Sequence, residues 1–205
     1  MICGLDEAGR GPLAGPVCAA AVVLPADFPC SCLGDSKKLS PARREKAQVL
    51  IMEQSLSWGI GWASEMEIDT LNILQASLLA MKRAFDAMVV KLPTGLVLTK
   101  AVVDGLHCPD LPIPCRAMVK ADSQVPEVMA ASILAKTARD KLMEQYALVY
   151  PEYGYEKHKG YPTKEHQEKI ARYGPSPIQR KSFKVNLARV VRSLPLENEL
   201  FSALK

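Results

Sequence analysis

The sequence predicts an α/β protein, built as one layered domain with a helical C-terminal extension. Short apolar, β-prone runs alternate with longer segments of helical periodicity, as expected for a sheet covered by helices. The 205 residues suffice for one substantial core, and 48% hydrophobic with 23% charged residues is typical of a globular protein. The sequence contains no internal repeat or long linker. We therefore expect a main domain over 1–150, with the extension over 151–205 packed on it.

The predicted strands are apolar runs bounded by glycine, proline or charged residues. The first two are joined by a glycine-rich segment and are expected to be neighbours. In the third, Gly59 and Gly61 alternate with larger side chains, and the fourth runs into Asp104 and Gly105. The five predicted strands span 2–5, 16–24, 57–63, 96–103 and 113–119.

The predicted helices follow from capping signals, apolar periodicity and proline positions. Ser40 is a favourable N-cap and Pro41 suits the first helical position. Apolar residues recur at helical spacing from Ile68 to Phe85. Several prolines after Tyr161 divide the remaining chain into two helices and a loop. The predicted helices span 40–55, 65–90, 128–146, 163–173 and 182–193.

Composition and cysteine spacing limit the cellular compartment and the kind of metal site that we expect. No apolar run reaches the length of a membrane span, and the acidic N-terminal segment does not resemble a signal peptide. The six cysteines form no Cys-x-x-Cys pair, which indicates buried thiols in a reducing compartment, so we expect a cytoplasmic protein. Cys30 with Cys32, or His107 with Cys108, lacks the paired spacing of a zinc site, which disfavours a soft-metal centre.

The basic residues are concentrated near the C-terminus. The net charge is only +4, but eight lysines and arginines lie between Lys157 and Lys184, interleaved with Tyr161, Tyr173 and Phe183. This pattern is typical of a surface that follows phosphates and stacks rings on bases. A solvated helix face is the competing interpretation.

Acidic residues follow three of the predicted strands. Asp6 and Glu7 come after the first strand, and Asp104 and Asp122 come after two later ones. Functional groups commonly gather beyond strand ends in α/β sheets, and converging carboxylates favour a bound divalent cation. Two such ions would suit phosphodiester hydrolysis. The alternative is that the first three acids belong to solvated turns and that Asp122 caps a helix.

Beyond these acids, the run LDEAGRGPLAGPV over residues 5–17 and six later blocks give the chain a resemblance to the type 2 ribonuclease H family, specifically bacterial ribonuclease HII. The resemblance extends over nearly the whole chain, and many ordered blocks are more specific than any single motif. The matching blocks are 5–17 (LDEAGRGPLAGPV), 34–39 (GDSKKL), 103–105 (VDG), 120–123 (KADS), 131–140 (ASILAKTARD), 158–163 (HKGYPT) and 174–183 (GPSPIQRKSF).

The resemblance implies a ribonuclease H-like fold with a mixed central sheet flanked by helices. It implies an endoribonuclease that cuts RNA paired with DNA and incises 5′ to single ribonucleotides in duplex DNA, leaving 3′-hydroxyl and 5′-phosphate ends. The expected cofactor is Mn²⁺ or Mg²⁺ in a two-metal site. In family terms, the catalytic and metal-binding residues are Asp6, Glu7, Asp104 and Asp122.

The resemblance also assigns substrate contacts. Gly9, Arg10 and Gly11 match the loop that recognises the ribonucleotide 2′-hydroxyl and a nearby phosphate, and Tyr161 matches the tyrosine that stacks on the following sugar. A buried, half-polar core position is the alternative for Tyr161. Further expected contacts lie in matching blocks, although surface solvation remains the alternative for the charged ones: Lys38, Ser132, Lys136 and Arg180.

Three positions depart from the commonest family pattern. Leu106 stands where asparagine is frequent, Ala121 replaces a glycine, and Gln179 replaces a histidine. They put secondary contacts in doubt, not the reaction class. Because the chain begins directly at the first predicted strand, we expect ribonuclease HII rather than ribonuclease HIII, whose catalytic domain normally follows another domain.

Two rival functions remain open at this stage. One is another nuclease of the same fold that acts on DNA junctions or long hybrids. The other is a non-catalytic nucleic-acid-binding module, for which the basic segment would suffice. We expect a monomer that binds RNA/DNA hybrids and ribonucleotide-containing duplex DNA. Residues 194–204 are interpreted as an ordinary terminal helix, with docking on a sliding clamp as the alternative.

Overall fold

The computed structural model of the protein describes residues 1–33 and 39–185. Its centre is a five-stranded mixed sheet in the order β3-β2-β1-β4-β5. Strand β1 pairs antiparallel with β2 and parallel with β4, while β4 pairs parallel with β5. The strands are β1 (Ile2–Ala8), β2 (Val17–Val23), β3 (Ser57–Ala63), β4 (Lys100–Asp104) and β5 (Cys115–Met118).

Helices cover both faces of this sheet. The six helices are α1 (Pro41–Gln54), α2 (Glu65–Leu71), α3 (Ile73–Val89), α4 (Pro126–Val149), α5 (Tyr155–His158) and α6 (Lys164–Tyr173). Helix α3 packs on one face with Phe85 and Met88 in its core, and α4 with α1 packs on the other through Ile133 and Ile51. Since strand β2 is buried on both faces, it reads as a continuous apolar run.

Glycines allow the close packing of α3 on β3. A Cβ on Gly61 would lie 2.1 Å from the carbonyl oxygen of Ala80, and one on Gly59 would lie 2.3 Å from that of Ala84. The alternating glycines in the predicted strand therefore serve the backbone approach of a helix.

Two element boundaries differ from the predictions for reasons visible in the pairing. Strand β1 continues to Ala8 instead of ending at residue 5, because β2 pairs with it that far. Strand β4 begins at Lys100 rather than at residue 96, because Lys100 pairs with Ile2 and the partner strand has no earlier residue.

The segment predicted as one helix over 65–90 is two helices. Asn72 has a φ of 73° and ends α2, and its side-chain oxygen accepts hydrogen bonds from the N–H groups of Leu74 and Gln75 to begin α3. Asparagine is among the few residues that tolerate this backbone conformation.

The described part of the C-terminal extension packs on the main domain. Tyr153, Tyr155 and Ile178 form a small core with Ala14 and Met143. The short helix α5 was not predicted. Residues 182–185 are not helical, and the rest of the helix predicted over 182–193 lies outside the described residues. In the described residues, no helix is both long and apolar enough to cross a membrane.

Candidate active site

Three acidic side chains meet at one edge of the sheet. Asp6 lies in β1, Asp104 ends the neighbouring parallel strand β4, and Asp122 lies in the 3-10 turn that follows β5. One carboxylate oxygen from each of the three lies within 4.8 Å of the others. The carboxyl ends of the parallel strands thus bring together acids that are 98 to 116 positions apart from Asp6 in the chain.

Hydrogen bonds fix the turn that carries Asp122. The Asp104 carboxylate accepts from the N–H of Ala121 at 2.8 Å, and Lys120 has a φ of 59°. Ala121 is fully buried and does not have a positive φ, so the backbone at this position does not require glycine. With alanine at position 121, the turn that carries Asp122 is still held by the hydrogen bond to Asp104.

The electrostatics of Asp6 favour a positive ligand. Its side chain is almost fully buried, and burial raises the pKa of its carboxyl well above the ordinary value, with repulsion from Glu7 and Asp104 adding to the rise. Hydrogen bonds from Ser132 and from the N–H of Glu7 oppose that rise. A divalent cation would relieve the repulsion, and three hard oxygen donors suit Mg²⁺ or Mn²⁺.

Glu7 lies outside this group of three carboxylates. Its Oε1 is 3.3 Å from Nη1 of Arg10, and its side chain lines the adjoining cleft. The structure therefore brings together three of the four predicted acids and places the fourth at the boundary between the acids and the cleft.

A cleft of about 610 Å³ adjoins Glu7. Its walls come from β1 and the following loop, from α1 and α4, and from the segment around α5. Six of the predicted substrate-contacting residues line it: Gly9, Arg10, Gly11, Ser132, Lys136 and Tyr161. Lys157 and Lys159, from the predicted basic segment, also line it. Cleft residues that the sequence did not single out as contacts are Ala8, Pro41, Arg44 and Asp140.

One wall of the cleft contains two basic side chains, Lys136 and Arg44, that both form ion pairs with Asp140. Lys136 Nζ is 2.7 Å from one oxygen of Asp140, and Arg44 Nη1 is 3.3 Å from the other. Ser132 and Lys136 share a face of α4 as their spacing predicts. Sequence reasoning missed Arg44 because its partner is 96 residues away, and no local pattern marks that pairing.

Tyr161 stands at the rim of the cleft with 39% of its surface exposed, so the alternative of a buried core position is wrong. Its N–H donates to the carbonyl of His158, and its carbonyl oxygen lies 3.0 Å from Nδ1 of His166. The two imidazoles are stacked with ring centroids 4.4 Å apart. The backbone of Tyr161 is therefore anchored to a buried, stacked pair of histidines.

Gly9 and Gly11 have different surroundings. Gly9 has a φ of 99°, and a Cβ there would lie 2.0 Å from Nε of Arg139. A Cβ on Gly11 would meet only Tyr161, at 3.6 Å, on the cleft side. Close approach to a ligand thus concerns Gly11, while Gly9 is required by packing beneath the loop.

Arg180 corrects one expectation. The side chain is fully buried, and its guanidinium donates to the carbonyl oxygens of Gly9, Arg10 and Gly15. A buried guanidinium engaged in this way does not contact a phosphate. Lys38 lies outside the described residues, so its predicted contact stays a prediction.

The other two departures from the family pattern have no contact with the three acids among the described residues. Leu106 is exposed on the surface, with 75% of its area accessible. Gln179 is buried, and neither polar atom of its amide has a hydrogen-bond partner among the described residues.

Several solved structures with this architecture are ribonucleases. The ribonuclease H2 of Pyrococcus horikoshii aligns with a TM-score of 0.68 at 27% identity, covering 93% of this chain and 97% of that one. Ribonuclease HII of Archaeoglobus fulgidus, solved in complex with PCNA, aligns at 0.68 and 26%, covering 88% and 92%. Bst-RNase HIII in complex with Mn²⁺ shares the fold, with a TM-score of 0.73 at 18% identity, covering 93% and 69%. The fold and the site define a metal-dependent ribonuclease of the ribonuclease H-like class.

Sequence comparison gives the particular family. The ribonuclease HII family model matches residues 3–186. Ribonuclease HII of Treponema denticola is 54% identical over 193 residues, covering 89% of this chain and 98% of its own. That of Dechloromonas aromatica is 50% identical over 183 residues, covering 89% and 90%. The chain belongs to the ribonuclease HII family, whose members are endoribonucleases acting on RNA/DNA hybrids.

Proposed function

We propose that the protein incises duplex DNA 5′ to single embedded ribonucleotides, as well as cutting the RNA strand of hybrids, and so serves ribonucleotide removal in the cytoplasm. The main support is the position of the loop formed by Gly9, Arg10 and Gly11. This loop continues directly from the strand that bears Asp6 and Glu7. Reaction centre and sugar recognition thereby share one short stretch of chain.

The loop offers donors suited to a ribose. The N–H groups of Arg10 and Gly11 make no hydrogen bond with any described residue, and both residues line the cleft. A 2′-hydroxyl accepts and donates hydrogen bonds, whereas deoxyribose at the same place has neither capacity. Backbone donors therefore distinguish ribose from deoxyribose whatever the base. The guanidinium of Arg10 adds a planar set of donors suited to phosphate.

The remaining contacts follow from the cleft walls. We assign Lys136 and Arg44 to phosphates, Ser132 to orienting Asp6, and Tyr161 to stacking on the sugar that follows the ribonucleotide. Lys38 lies outside the described residues, and its assignment to a phosphate rests on the family resemblance alone. Residues 151–205 then act as the substrate-binding extension, since Lys157, Lys159 and Tyr161 come from it.

A two-metal site is part of the proposal. Asp6, Glu7, Asp104 and Asp122 would hold the ions. When bound, divalent cations supply activation of water and stabilisation of the leaving oxygen. The protein's own residues position the phosphate 5′ to the ribose next to these acids, and the basic side chains of the cleft hold the duplex in register. Hydrolysis of that phosphodiester leaves a 3′-hydroxyl and a 5′-phosphate.

Cleavage of end-labelled duplexes tests the function. One duplex contains a single ribonucleotide, its control is the same sequence in DNA, and a third carries a long RNA/DNA hybrid, each in Mg²⁺ and in Mn²⁺. We expect a single nick 5′ to the ribonucleotide, with no cut in the DNA control and none after chelation. Cleavage of the long hybrid alone would replace this proposal with the rival nuclease, and binding without scission in either metal would indicate a binding module.

We further propose a monomer, which light scattering after size exclusion tests directly. The A. fulgidus relative was solved with PCNA. Residues 194–204, the segment considered for docking on a sliding clamp, lie outside the described residues. Clamp capture by the full chain but not by a variant ending at residue 193 would establish that segment as the docking element, and equal capture would exclude it.

A further inference from the structure

Two arginines are the largest fully buried side chains among the described residues, and both lie under the loop that follows β1. Arg180 donates from Nε, Nη1 and Nη2 to the carbonyl oxygens of Gly15, Arg10 and Gly9, at 2.8, 3.0 and 2.6 Å. All three donor nitrogens of the fork are therefore engaged by one loop. We call this loop, residues 9–16, the ribose loop.

Arg139 holds the other half of the ribose loop. Its Nε and Nη2 donate to the carbonyl oxygens of Pro16 and Ala14, and its Nη1 donates to that of Lys159, all between 3.0 and 3.1 Å. Lys159 lies two residues before Tyr161. Arg139 thus connects the ribose loop to the segment that carries the stacking tyrosine.

Neither guanidinium has a carboxylate partner within ion-pair distance among the described residues. Burial lowers the pKa of Arg180 to about 9, and the neighbouring charge of Arg139 adds to that effect. Isolated buried cations are costly, so their retention here requires compensation by the carbonyl dipoles that they fix. Two unpaired cations in the core are difficult to explain as packing alone.

The planarity of the peptide bond gives these contacts a consequence in the cleft. In a trans peptide the C=O and the following N–H point in opposite directions. Because Arg180 draws the carbonyls of Gly9 and Arg10 inward, the N–H groups of Arg10 and Gly11 point outward. No described residue accepts a hydrogen bond from either of these N–H groups, and both residues line the cleft.

We infer that Arg180 and Arg139 are positioning residues that determine selectivity for ribose over deoxyribose. Arg180 orients the two donors that meet the 2′-hydroxyl, and Arg139 fixes their distance from Tyr161. Neither arginine touches the substrate, and both act through the peptide planes of the ribose loop. The inference rests on the proposed function, because it assigns the selectivity of that same site.

The test separates charge from geometry. Arg180→Lys keeps the buried charge but loses the fork that spans three carbonyls. Arg83→Lys is the control, since Arg83 also donates to a backbone carbonyl, that of Trp62, but is paired with Glu67, is partly exposed and does not line the cleft. Both variants are first checked by thermal melting, and binding is measured well below the lower melting temperature.

The readout is fluorescence anisotropy without divalent metal, on a duplex with one ribonucleotide and on its all-DNA counterpart. We expect the wild type and Arg83→Lys to prefer the ribonucleotide duplex, and Arg180→Lys to lose this preference by roughly tenfold, the value of one well-placed hydrogen bond. Affinity for the DNA duplex should change little. A loss of folded protein alone would instead reduce the active fraction on both duplexes equally.

The outcomes are distinct. If the wild type prefers the ribonucleotide duplex and a folded Arg180→Lys keeps that preference, the inference is overturned while the proposed function stands. If the wild type shows no preference in binding or cleavage, the proposed function fails and the inference fails with it. If Arg180→Lys does not fold, Arg139→Lys makes the same test from the other end of the loop, where an unchanged preference also overturns the inference.

Discussion

Replacing Gly9 by alanine should unfold the protein at lower temperature, whereas the same change at Gly11 should not. At Gly9 the new Cβ would lie 2.0 Å from Nε and 2.3 Å from Cδ of Arg139, and the φ of 99° is unfavourable for alanine. The backbone strain costs about 1–3 kcal/mol. Arg139 is 1% exposed and cannot swing into solvent, so at least one of its charge-assisted hydrogen bonds is lost, costing about 1.5–3 kcal/mol.

Together these costs amount to roughly 3–6 kcal/mol, which lowers Tm by on the order of 10 °C for a chain of this size. At Gly11 the nearest atom to a new Cβ is Cε1 of Tyr161 at 3.6 Å, an ordinary contact. Gly11→Ala should therefore change stability by less than about 0.5 kcal/mol. Its methyl group stands in the cleft, so kcat/KM on a single-ribonucleotide duplex should fall about tenfold or more.

Thermal and urea denaturation measure the first effect, and steady-state cleavage measures the second. We expect opposite effects from the two substitutions: a large loss of stability for Gly9→Ala, and a loss of activity without loss of stability for Gly11→Ala. A Gly9→Ala protein that melts with the wild type would refute the assignment of this glycine to the packing of Arg139. Equal destabilisation by both changes would refute the division between the two positions.

Three further predictions concern the acids, the stacking tyrosine and the buried histidines. Asp104→Asn should nearly abolish Mg²⁺-dependent cleavage, since a proposed metal ligand is lost, while duplex binding by anisotropy stays measurable; undiminished cleavage would refute the assignment. Tyr161→Phe should retain most activity, whereas Tyr161→Ala should lose roughly 1–3 kcal/mol of substrate binding, seen as a raised KM. Burial, with the neighbouring His158 adding to it, lowers the pKa of His166 to about 4. The unfolded chain, with a histidine pKa near 6.5, therefore binds more protons between about pH 4 and 6.5, and the unfolding free energy should fall by about 3 kcal/mol as pH drops through that range. Urea titrations of wild type and His166→Gln should show a smaller decrease in the variant, and parallel curves would contradict the assignment.

Much of the architecture was predictable because local signals agreed with the tertiary contacts. Alternating apolar segments predicted all five strands, and strand ends predicted that Asp6, Asp104 and Asp122 would converge. The Ser40-Pro41 signal predicted the start of α1, where the Ser40 hydroxyl accepts from the N–H of Arg43.

What the sequence missed depends on partners distant in the chain. The start of β4 follows from where its neighbour begins, and the break at Asn72 follows from one side chain that caps the next helix. Arg44 lies in the cleft wall beside Asp140, and a one-dimensional pattern cannot show an ion pair between residues 96 positions apart. Arg180 illustrates the same limit, because a basic residue in a basic segment gives no sign that it is buried.

The continuity of β1 with the ribose loop has a mechanical consequence. Asp6 is held in the centre of the sheet by strands on both sides, and Arg10 is only four positions further along the same chain. On the proposed function, the short covalent connection between Asp6 and Arg10 thus sets the distance between the phosphate that is cut and the sugar that the loop contacts. Shifting the incision by one nucleotide would require rebuilding the central strand, so mutations in surrounding loops should change how fast the enzyme cuts without changing where it cuts.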